Sequence, residues 1–355
     1  MKIANRMETL SPSVTMAITA LGRELKAQGK DILSFSAGEP DFDTPEIIKQ
    51  AAIKAINDGQ TKYTAVEGII ATKQAIINKL KKDHGLEYKL DGIVISNGAK
   101  HSLFNLFQVL IEEGDEVIIP APYWVTYPEQ VKFSDGVPVF IETDDSTDFK
   151  ITAEQLKAVI TPKTKILLLN TPSNPTGSVY SKEELLSLGE VLKGTDIIVL
   201  SDEMYEKIMY NGKKFTAAAE VSEDMYKRTV TINGLSKAVA MTGWRFGYIA
   251  TCDAALAKAM TKLQGQVTSN INTMTQYAAI PALEGDADET IEMMRVEFEK
   301  RKNIAVASFN AIKGLSTIDP DGAFYLFVNI KEVTNDSMKF CADLLEQKGV
   351  ALVPG

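Results

Sequence analysis

Between about residues 93 and 251 the chain alternates short apolar, β-branched runs with amphipathic stretches, and this alternation constrains the fold most strongly. The apolar runs are GIVIS, EVIIP, VPVFIET, KILLLN, DIIVLS, TVTIN and GYIAT, which predict buried strands. Helices are predicted near 101–113, 124–134, 153–160, 182–193 and 253–265. Strands that alternate with helices are typical of a doubly wound, largely parallel sheet, so the sequence predicts an α/β fold.

Further helices are predicted on either side of this region. One lies near 14–29 and is followed by the loop SAGEPDFDTP, and a long charged helix is indicated by DETIEMMRVEFEKRKNIAVASFNAI. At 355 residues the chain exceeds the size at which a single core stops growing. We therefore expect roughly two domains.

Polar clusters directly follow four of the predicted strands. They are Ser96 to Lys100 after GIVIS, Asn170 to Gly177 after KILLLN, Asp202 to Tyr205 after DIIVLS, and Gly234 to Lys237 after TVTIN. In open α/β sheets the ligand binds outside the carboxyl ends of the strands. The four clusters are therefore expected to converge on one crevice.

The side chains in these clusters suit pyridoxal 5′-phosphate. Lys237 can form a Schiff base, and Asp202 can hold the proton of a pyridinium nitrogen. Asn174 and Tyr205 can each donate to the phenolic oxygen of that cofactor. Taken singly, Lys237 has a simpler interpretation as a solvated lysine, Asp202 as a turn or cap residue, and Asn174 as part of an Asn-Pro turn. Their joint occurrence favours the cofactor.

A phosphate cradle is predicted where the segment from 96 to 100 opens a helix, because backbone amides at a helix N-terminus bind anions. The amides of Ala99 and Lys100 are the best placed, and the hydroxyl of Ser236 is a further candidate. Neither GxGxxG nor GxxxxGK occurs in the chain, so the motifs of dinucleotide and P-loop sites are lacking.

With SDEMY, TPSNPTG and SKAVAMTGWRFG in this arrangement, the chain resembles the class I and II aminotransferases of fold type I, and among them the bacterial aspartate aminotransferase branch. The resemblance runs from about residue 11 to the last residue. It implies a large cofactor-binding domain over 46–284 and a smaller α+β domain from 1–45 plus 285–355. It also implies transfer of the amino group of an L-amino acid, aspartate or a related acid, to a 2-oxo acid such as 2-oxoglutarate, in a ping-pong cycle.

The same resemblance implies further cofactor contacts. Arg245 matches the arginine that grips the cofactor phosphate, and Trp124 matches the tryptophan that stacks on the ring; a core tryptophan is the alternative. Tyr63 resembles the tyrosine that reaches the phosphate of the neighbouring subunit. A homodimer with shared active sites is therefore expected.

Substrate contacts are implied in the same way. Gly38 resembles the glycine whose amide meets the substrate carboxylate, although a turn glycine is the simpler interpretation. Lys100 corresponds to the lysine that meets the distal carboxylate of aspartate or glutamate, or it faces water at the helix start. Trp124 and Asn174 complete the expected substrate-binding set.

Three departures from the family pattern qualify these expectations. Gly234 stands where many relatives carry a serine, which puts one phosphate contact in doubt, and Ser11 stands where some prephenate-using relatives carry a lysine, so prephenate is less expected. Relatives also continue beyond VPG to an arginine that clamps the substrate α-carboxylate. An incomplete C-terminus is the favoured explanation, and for a protein truly ending at Gly355 we expect cofactor binding with poor turnover.

Composition excludes several other classes. The net charge is −9 without a basic cluster, which disfavours nucleic acid and anionic membranes, and no apolar run approaches a membrane span. Only Cys252 and Cys341 occur, and no signal core precedes them, which favours the cytoplasm. No metal site is predicted.

Two alternative functions remain beside the aminotransferase. A carbon–sulfur lyase or cyclising synthase on the same fold is the nearest alternative, and a ligand-sensing protein without turnover is a remoter one.

Overall fold

The computed structural model describes residues 1–12 and 14–355. In this part of the chain the strands are β1 (Leu33–Ser34), β2 (Ile93–Asn97), β3 (Glu116–Ala121), β4 (Val137–Glu142), β5 (Thr164–Asn170), β6 (Ile198–Asp202), β7 (Thr229–Gly234), β8 (Phe246–Ala250) and β9 (Val350–Ala351). The seven strands β2 to β8 form one sheet in the order β2-β8-β7-β6-β5-β3-β4, and β1 pairs in parallel with β9. All seven predicted strands are confirmed, with small shifts at their ends.

The α-helices in the described residues are α1 (Val14–Ala27), α2 (Glu46–Asn57), α3 (Ile70–His84), α4 (Ala99–Leu110), α5 (Thr126–Phe133), α6 (Ala153–Val159), α7 (Lys182–Leu192), α8 (Glu223–Arg228), α9 (Ala254–Val267), α10 (Thr273–Glu284), α11 (Asp288–Asn310) and α12 (Ser337–Lys348). The predictions for α1, α4 to α7, α9 and α11 are confirmed. The sequence patterns did not indicate α2, α3, α8, α10 and α12.

The sheet is parallel except at β8, which runs antiparallel to both β2 and β7. The remaining neighbours pair in parallel. A parallel crossover needs a dozen or more residues, usually with a helix, and the connection from Leu235 to Arg245 is shorter than that. The chain therefore turns back directly, which leaves this connection, with Lys237 in it, at the carboxyl end of β7.

Both faces of the central strands are buried, as their continuous apolar sequences indicate. Leu168 of β5 packs in one cluster with Leu103 of α4, while the adjacent Leu167 packs in another cluster with Leu185 of α7. Successive side chains of a strand point to opposite faces. The helices therefore cover the sheet on two sides, and the α/β prediction is confirmed.

Two of the helices that sequence reasoning missed, α10 and α3, have weak amphipathic patterns. α10 contains Pro281 and packs against α2 and α3, so apolar residues surround much of its circumference. A helix that is apolar all round is typical of burial rather than of a surface stripe. α3 carries Lys73 and Lys79 among its buried residues. Charged residues on the buried face weaken the 3.6-residue hydrophobic period from which a helix is predicted.

Candidate active site

The carboxyl ends of four strands meet at one edge of the sheet. Asn170, the last residue of β5, is the register partner of Asp202, the last residue of β6, and Asp202 lies against β7. The side-chain amide of Asn170 donates to the Asp202 carbonyl oxygen at 3.1 Å. The segments that follow these strands therefore begin side by side, as the strand-end rule predicts.

Lys237 places its amine inside this crevice. Its Nζ donates to the carbonyl oxygen of Gly38 at 2.7 Å and lies 5.9 Å from the centre of the Phe324 ring. Burial lowers the pKa of Lys237 to about 8; Glu39 opposes this effect and the nearby Arg245 reinforces it. A neutral amine, which is the nucleophilic form, is therefore far more accessible here than on a surface lysine.

Asp202 presents a buried carboxylate with two hydrogen bonds. Its Oδ2 accepts from the Tyr127 hydroxyl at 2.8 Å, and its Oδ1 accepts from the Met204 amide at 3.2 Å. Burial raises the pKa of Asp202 to about 6, although Tyr127, Met204 and Lys237 all act to lower it. A cation placed against this carboxylate would keep it ionised and would itself be stabilised.

Tyr205 and Asn174 approach from adjacent loops. The hydroxyl oxygen of Tyr205 lies 2.7 Å from that of Tyr325. The backbone amide of Asn174 donates to Oδ1 of Asn170 at 2.7 Å, which ties the TPSNPTG segment to the end of β5. Asn170 thus links the loop of Asn174 to the strand that ends at Asp202.

The first turn of α4 and the side chain of Arg245 form a cradle. Gly98 precedes α4 with φ of 83°, and a Cβ at this position would lie 2.5 Å from Nη2 of Arg245. Arg245 itself has φ of 59°, and its Nη1 donates to the Thr242 carbonyl oxygen at 3.0 Å. The first amides of a helix have no partner within it, so those of Ala99 and Lys100 join the guanidinium in a site that suits a phosphate.

The connection after β7 explains one departure from the family pattern. A Cβ at Gly234 would lie 2.5 Å from the Phe246 carbonyl oxygen, so this backbone admits no serine at position 234 without a shift. Ser236, two residues later, is buried, and its carbonyl oxygen accepts from the Met241 amide at 3.2 Å. Ser236 therefore remains the hydroxyl candidate in this connection.

Trp124 lies beside Lys100 at the other side of the crevice. The Lys100 Nζ is 4.8 Å from the centre of the Trp124 ring, a cation–π contact. The ring also packs edge-to-face on Tyr127, with centroids 5.4 Å apart. Burial, followed by the charge of Arg245, lowers the pKa of Lys100. Trp124 is thus half-buried, with Lys100 and Tyr127 as neighbours, and it packs against the edge of the core cluster.

One predicted residue, Tyr63, stands apart from this cluster. Tyr63 exposes 91% of its surface, and within residues 1–12 and 14–355 it has no hydrogen bond or ring contact with the other site residues. The single chain therefore does not bring Tyr63 into the crevice that contains Lys237.

Sequence reasoning missed Tyr127 and Tyr325 and gave no individual role to Asn170, although each bonds directly to a predicted residue. Tyr127 lies three positions after Trp124 at the start of a helix, and that spacing was an available signal. Asn170 ends a predicted strand, which was a signal too. Tyr325 lies 120 positions after Tyr205, and no local pattern points to it.

The residues present accommodate pyridoxal 5′-phosphate. Any side chain at Gly98 would occupy the space between the α4 amides and Arg245, so the cradle is kept open by glycine. The buried Asp202 and the amine of Lys237 offer the acid and the nucleophile that the ring and the aldehyde of the cofactor require.

Comparisons with known proteins agree with this geometry. The family described as aminotransferase class I and II matches residues 30–355. The chain is 50% identical to the aspartate aminotransferase of Geobacillus stearothermophilus, over 100% of this chain and 91% of that protein.

Solved structures give the same result. The fold matches the aspartate aminotransferase of Rhizobium meliloti with a TM-score of 0.95 and 42% identity, covering 100% of this chain and 91% of that one. It matches the Thermus thermophilus aspartate aminotransferase with maleate at a TM-score of 0.95 and 38% identity, again over 100% and 91% of the two chains.

Among the described residues, no helix is both long and apolar enough to span a membrane.

Proposed function

The chain belongs to the class I and II aminotransferases and transfers amino groups, and we propose that its donor is aspartate or a related acidic amino acid, its acceptor a 2-oxo acid such as 2-oxoglutarate, and its cofactor pyridoxal 5′-phosphate. The observation that carries this proposal is the pairing of a buried lysine with a lowered pKa and a buried aspartate at neighbouring strand ends. Such a pair provides a nucleophilic amine and a carboxylate able to hold a pyridinium proton.

When bound, the cofactor would supply an electron sink for the bond electrons of the substrate α-carbon. Asp202 would hold the proton on the ring nitrogen, since a buried carboxylate favours a cation beside it. Asn174 and Tyr205 would donate to the phenolic oxygen. Trp124 would lie against the ring, a contact worth about 0.5 to 1.5 kcal/mol beyond burial.

The phosphate would bind in the cradle at the start of α4. The amides of Ala99 and Lys100 would donate to it, and the Arg245 guanidinium would neutralise its charge with two N–H groups. The Ser236 hydroxyl would add one donor.

Lys237 would carry the proton steps. Its amine would hold the cofactor at rest, and once freed by the incoming substrate it would take the proton from the substrate α-carbon and deliver it to the carbon on the other side of the substrate nitrogen. A pKa near 8 suits both directions at neutral pH, because the protonated and neutral forms are both populated.

The acidic substrate would lie between Gly38 and Lys100. The Gly38 amide would meet the α-carboxylate, with Asn174 and Trp124 beside it, and the Lys100 ammonium would pair with the distal carboxylate. The similar Thermus thermophilus enzyme was solved with maleate, which is a dicarboxylate, and this supports an acidic substrate. Ser11 in place of a lysine argues against prephenate as a preferred substrate.

We also propose a homodimer in which Tyr63 reaches the phosphate of the other subunit, since its side chain is exposed in the single chain. Mixing Lys237→Ala subunits with Tyr63→Ala subunits tests this arrangement. Hybrid dimers would hold one site with both wild-type residues and would recover activity that neither parent has. Lack of recovery in verified hybrids would contradict the shared site.

Two further proposals concern organisation. Residues 1–45 and 285–355 would form the smaller domain that closes over the cofactor domain of 46–284. A cytoplasmic location is supported by Cys252 and Cys341, which are both free thiols, because a reducing compartment keeps cysteines in the thiol form.

Borohydride reduction followed by peptide mass mapping tests the function directly. We expect a pyridoxyl adduct on Lys237, and a visible absorbance band that shifts on addition of aspartate or glutamate. An adduct elsewhere would overturn the assignment. The lyase alternative is separated by the product: a keto acid formed only with an amino acceptor indicates transfer, whereas pyruvate and ammonia without an acceptor indicate a lyase.

A further inference from the structure

Tyr205 is held by a second tyrosine from a distant part of the chain. The hydroxyl oxygens of Tyr205 and Tyr325 are 2.7 Å apart. The two rings pack edge-to-face with centroids 5.6 Å apart, and Phe324 packs on Tyr205 in the same way at 5.6 Å. The ring of Tyr205 is therefore fixed on one side by the Phe324–Tyr325 pair.

The Tyr325 hydroxyl also faces the crevice that contains Lys237. A Cβ at Gly38 would lie 3.3 Å from this hydroxyl, and the Gly38 carbonyl oxygen accepts from Lys237 at 2.7 Å. Tyr325 thus lies between the segment that contacts the lysine and the tyrosine expected to contact the cofactor.

Either hydroxyl can donate across this 2.7 Å contact, and a count of protons links the direction of the bond to ligand binding. Burial raises the pKa of both phenols, so each carries one hydroxyl proton at neutral pH. In the part of the chain that the structure describes, the Tyr325 hydroxyl has Tyr205 as its one hydrogen-bond partner. If Tyr205 donated to Tyr325, it would have no proton left for a ligand.

We propose that Tyr325 is a positioning residue that donates to Tyr205 and thereby reserves the Tyr205 proton for the phenolic oxygen of the bound cofactor. This inference rests on the proposed function. A hydroxyl that accepts a hydrogen bond is a stronger donor, by about 10 to 30% per bond. Tyr325 would therefore strengthen the contact without touching the cofactor itself.

The test is a pH titration of the absorbance of the lysine-bound cofactor. Loss of a donor to the phenolic oxygen disfavours the deprotonated, more electron-rich form, so the titration midpoint rises. A hydrogen bond to a charged group contributes about 1.5 to 3 kcal/mol. Its loss in Tyr205→Phe should therefore raise the titration midpoint by about 1 to 2 pH units. A cooperative share of about 10 to 30% of that shift predicts a rise of roughly 0.1 to 0.6 pH units in Tyr325→Phe.

The double variant tests whether Tyr325 acts through Tyr205. Adding Tyr325→Phe to Tyr205→Phe should move the midpoint no further, because the residue through which it acts is already lost. Tyr210→Phe is the matched control: Tyr210 is a buried tyrosine of the same core cluster whose hydroxyl has no partner among the described residues. It should leave the midpoint where it is in the wild type.

The outcomes separate this inference from the proposed function. The role of Tyr325 would be overturned, and the proposed function left intact, by an unmoved midpoint in Tyr325→Phe. The same would follow if Tyr325→Phe raised the midpoint equally in the wild-type and Tyr205→Phe backgrounds. Absence of a lysine-bound chromophore in the wild-type protein would overturn both. A rise confined to the wild-type background would establish the relay.

Discussion

The hydroxyl of Tyr127 donates to Oδ2 of Asp202 at 2.8 Å, and both side chains are buried. This bond ties the aspartate at the end of β6 to the first turn of α5. It also favours the charged form of the carboxyl, which burial disfavours.

Tyr127→Phe is expected to weaken cofactor binding. Without the donor, the pKa of Asp202 rises above about 6, and the carboxyl is less often ionised at neutral pH. A hydrogen bond to a charged group contributes about 1.5 to 3 kcal/mol, so affinity should fall about tenfold to a hundredfold in a fluorescence titration of the cofactor-free protein. Tyr248→Phe, which removes a buried hydroxyl without a partner among the described residues, should bind normally; equal losses in both variants would refute a specific role.

Gly98→Ala is expected to reduce phosphate binding. The new Cβ would lie 2.5 Å from Nη2 of Arg245 and would displace the guanidinium. Gly114→Ala provides the control, because Gly114 has φ of 85° but nothing within 4 Å among the described residues. Both variants should lose about 1 kcal/mol or more of stability from backbone strain, but only Gly98→Ala should bind the cofactor less tightly by calorimetry. Unchanged affinity in Gly98→Ala would count against the cradle.

The capture of cofactor by Lys237 should depend on pH in a defined window. Its pKa is lowered to about 8, mainly by burial, and only the neutral amine attacks an aldehyde. The rate at which cofactor-free protein acquires the chromophore should therefore rise as pH increases through about 8 and then level off. Lys237→Arg should acquire none. A wild-type rate that keeps climbing to about pH 10, the ordinary range for lysine, would indicate an exposed lysine instead.

Lys100→Met should alter substrate preference rather than cofactor binding. The ammonium is lost while the backbone amide stays in place, so KM for aspartate and glutamate should rise about tenfold or more and KM for alanine should stay similar. Lys182→Met, at the exposed start of α7, is the matched control. Parallel increases for acidic and neutral substrates would argue that Lys100 does not meet the distal carboxylate.

Stability should fall as the pH rises through the titration of His84. Its ring nitrogens lie 3.0 Å from Glu206 and 3.0 Å from Glu220, and despite burial these partners raise the pKa of His84 from 6.5 to about 9. A raised pKa contributes stability that is complete below about pH 6.5 and is lost as the pH rises through about 9.

Guanidinium unfolding of the cofactor-free protein below, within and above this pH window measures the loss. His84→Gln should be less stable at the acidic end by roughly 3 kcal/mol, as expected when one partner of a buried ion pair is removed, and should show a flatter pH dependence across the window. His101→Gln is the comparison, because burial lowers the pKa of His101 and its contribution changes below that window. Identical pH profiles for wild type and His84→Gln would contradict the assignment.

The strand-end part of the site could be predicted because its signals are local. Asp202 and Lys237 follow apolar runs that form strands wherever both faces of a sheet are covered. The parallel order of those strands then brings their carboxyl ends together. The predicted phosphate cradle needed only a helix start, and the structure adds that Gly98 keeps it open.

Other parts depend on contacts that no local pattern encodes. β8 reverses direction because its connection from β7 is short. The helix α10 was missed because apolar residues surround much of it. Tyr325 meets Tyr205 only because residues far apart in sequence fold against each other.

By itself, the sequence determined the α/β class, the seven strands of the sheet and the chemical identity of the groups at their ends, because hydrophobic period and strand-terminal chemistry are properties of neighbouring residues. The tertiary structure decided how those groups are tuned. The lowered pKa of Lys237, the raised pKa of Asp202 and the pairing of two tyrosines arise from burial and proximity, and both exist only once distant segments have packed together.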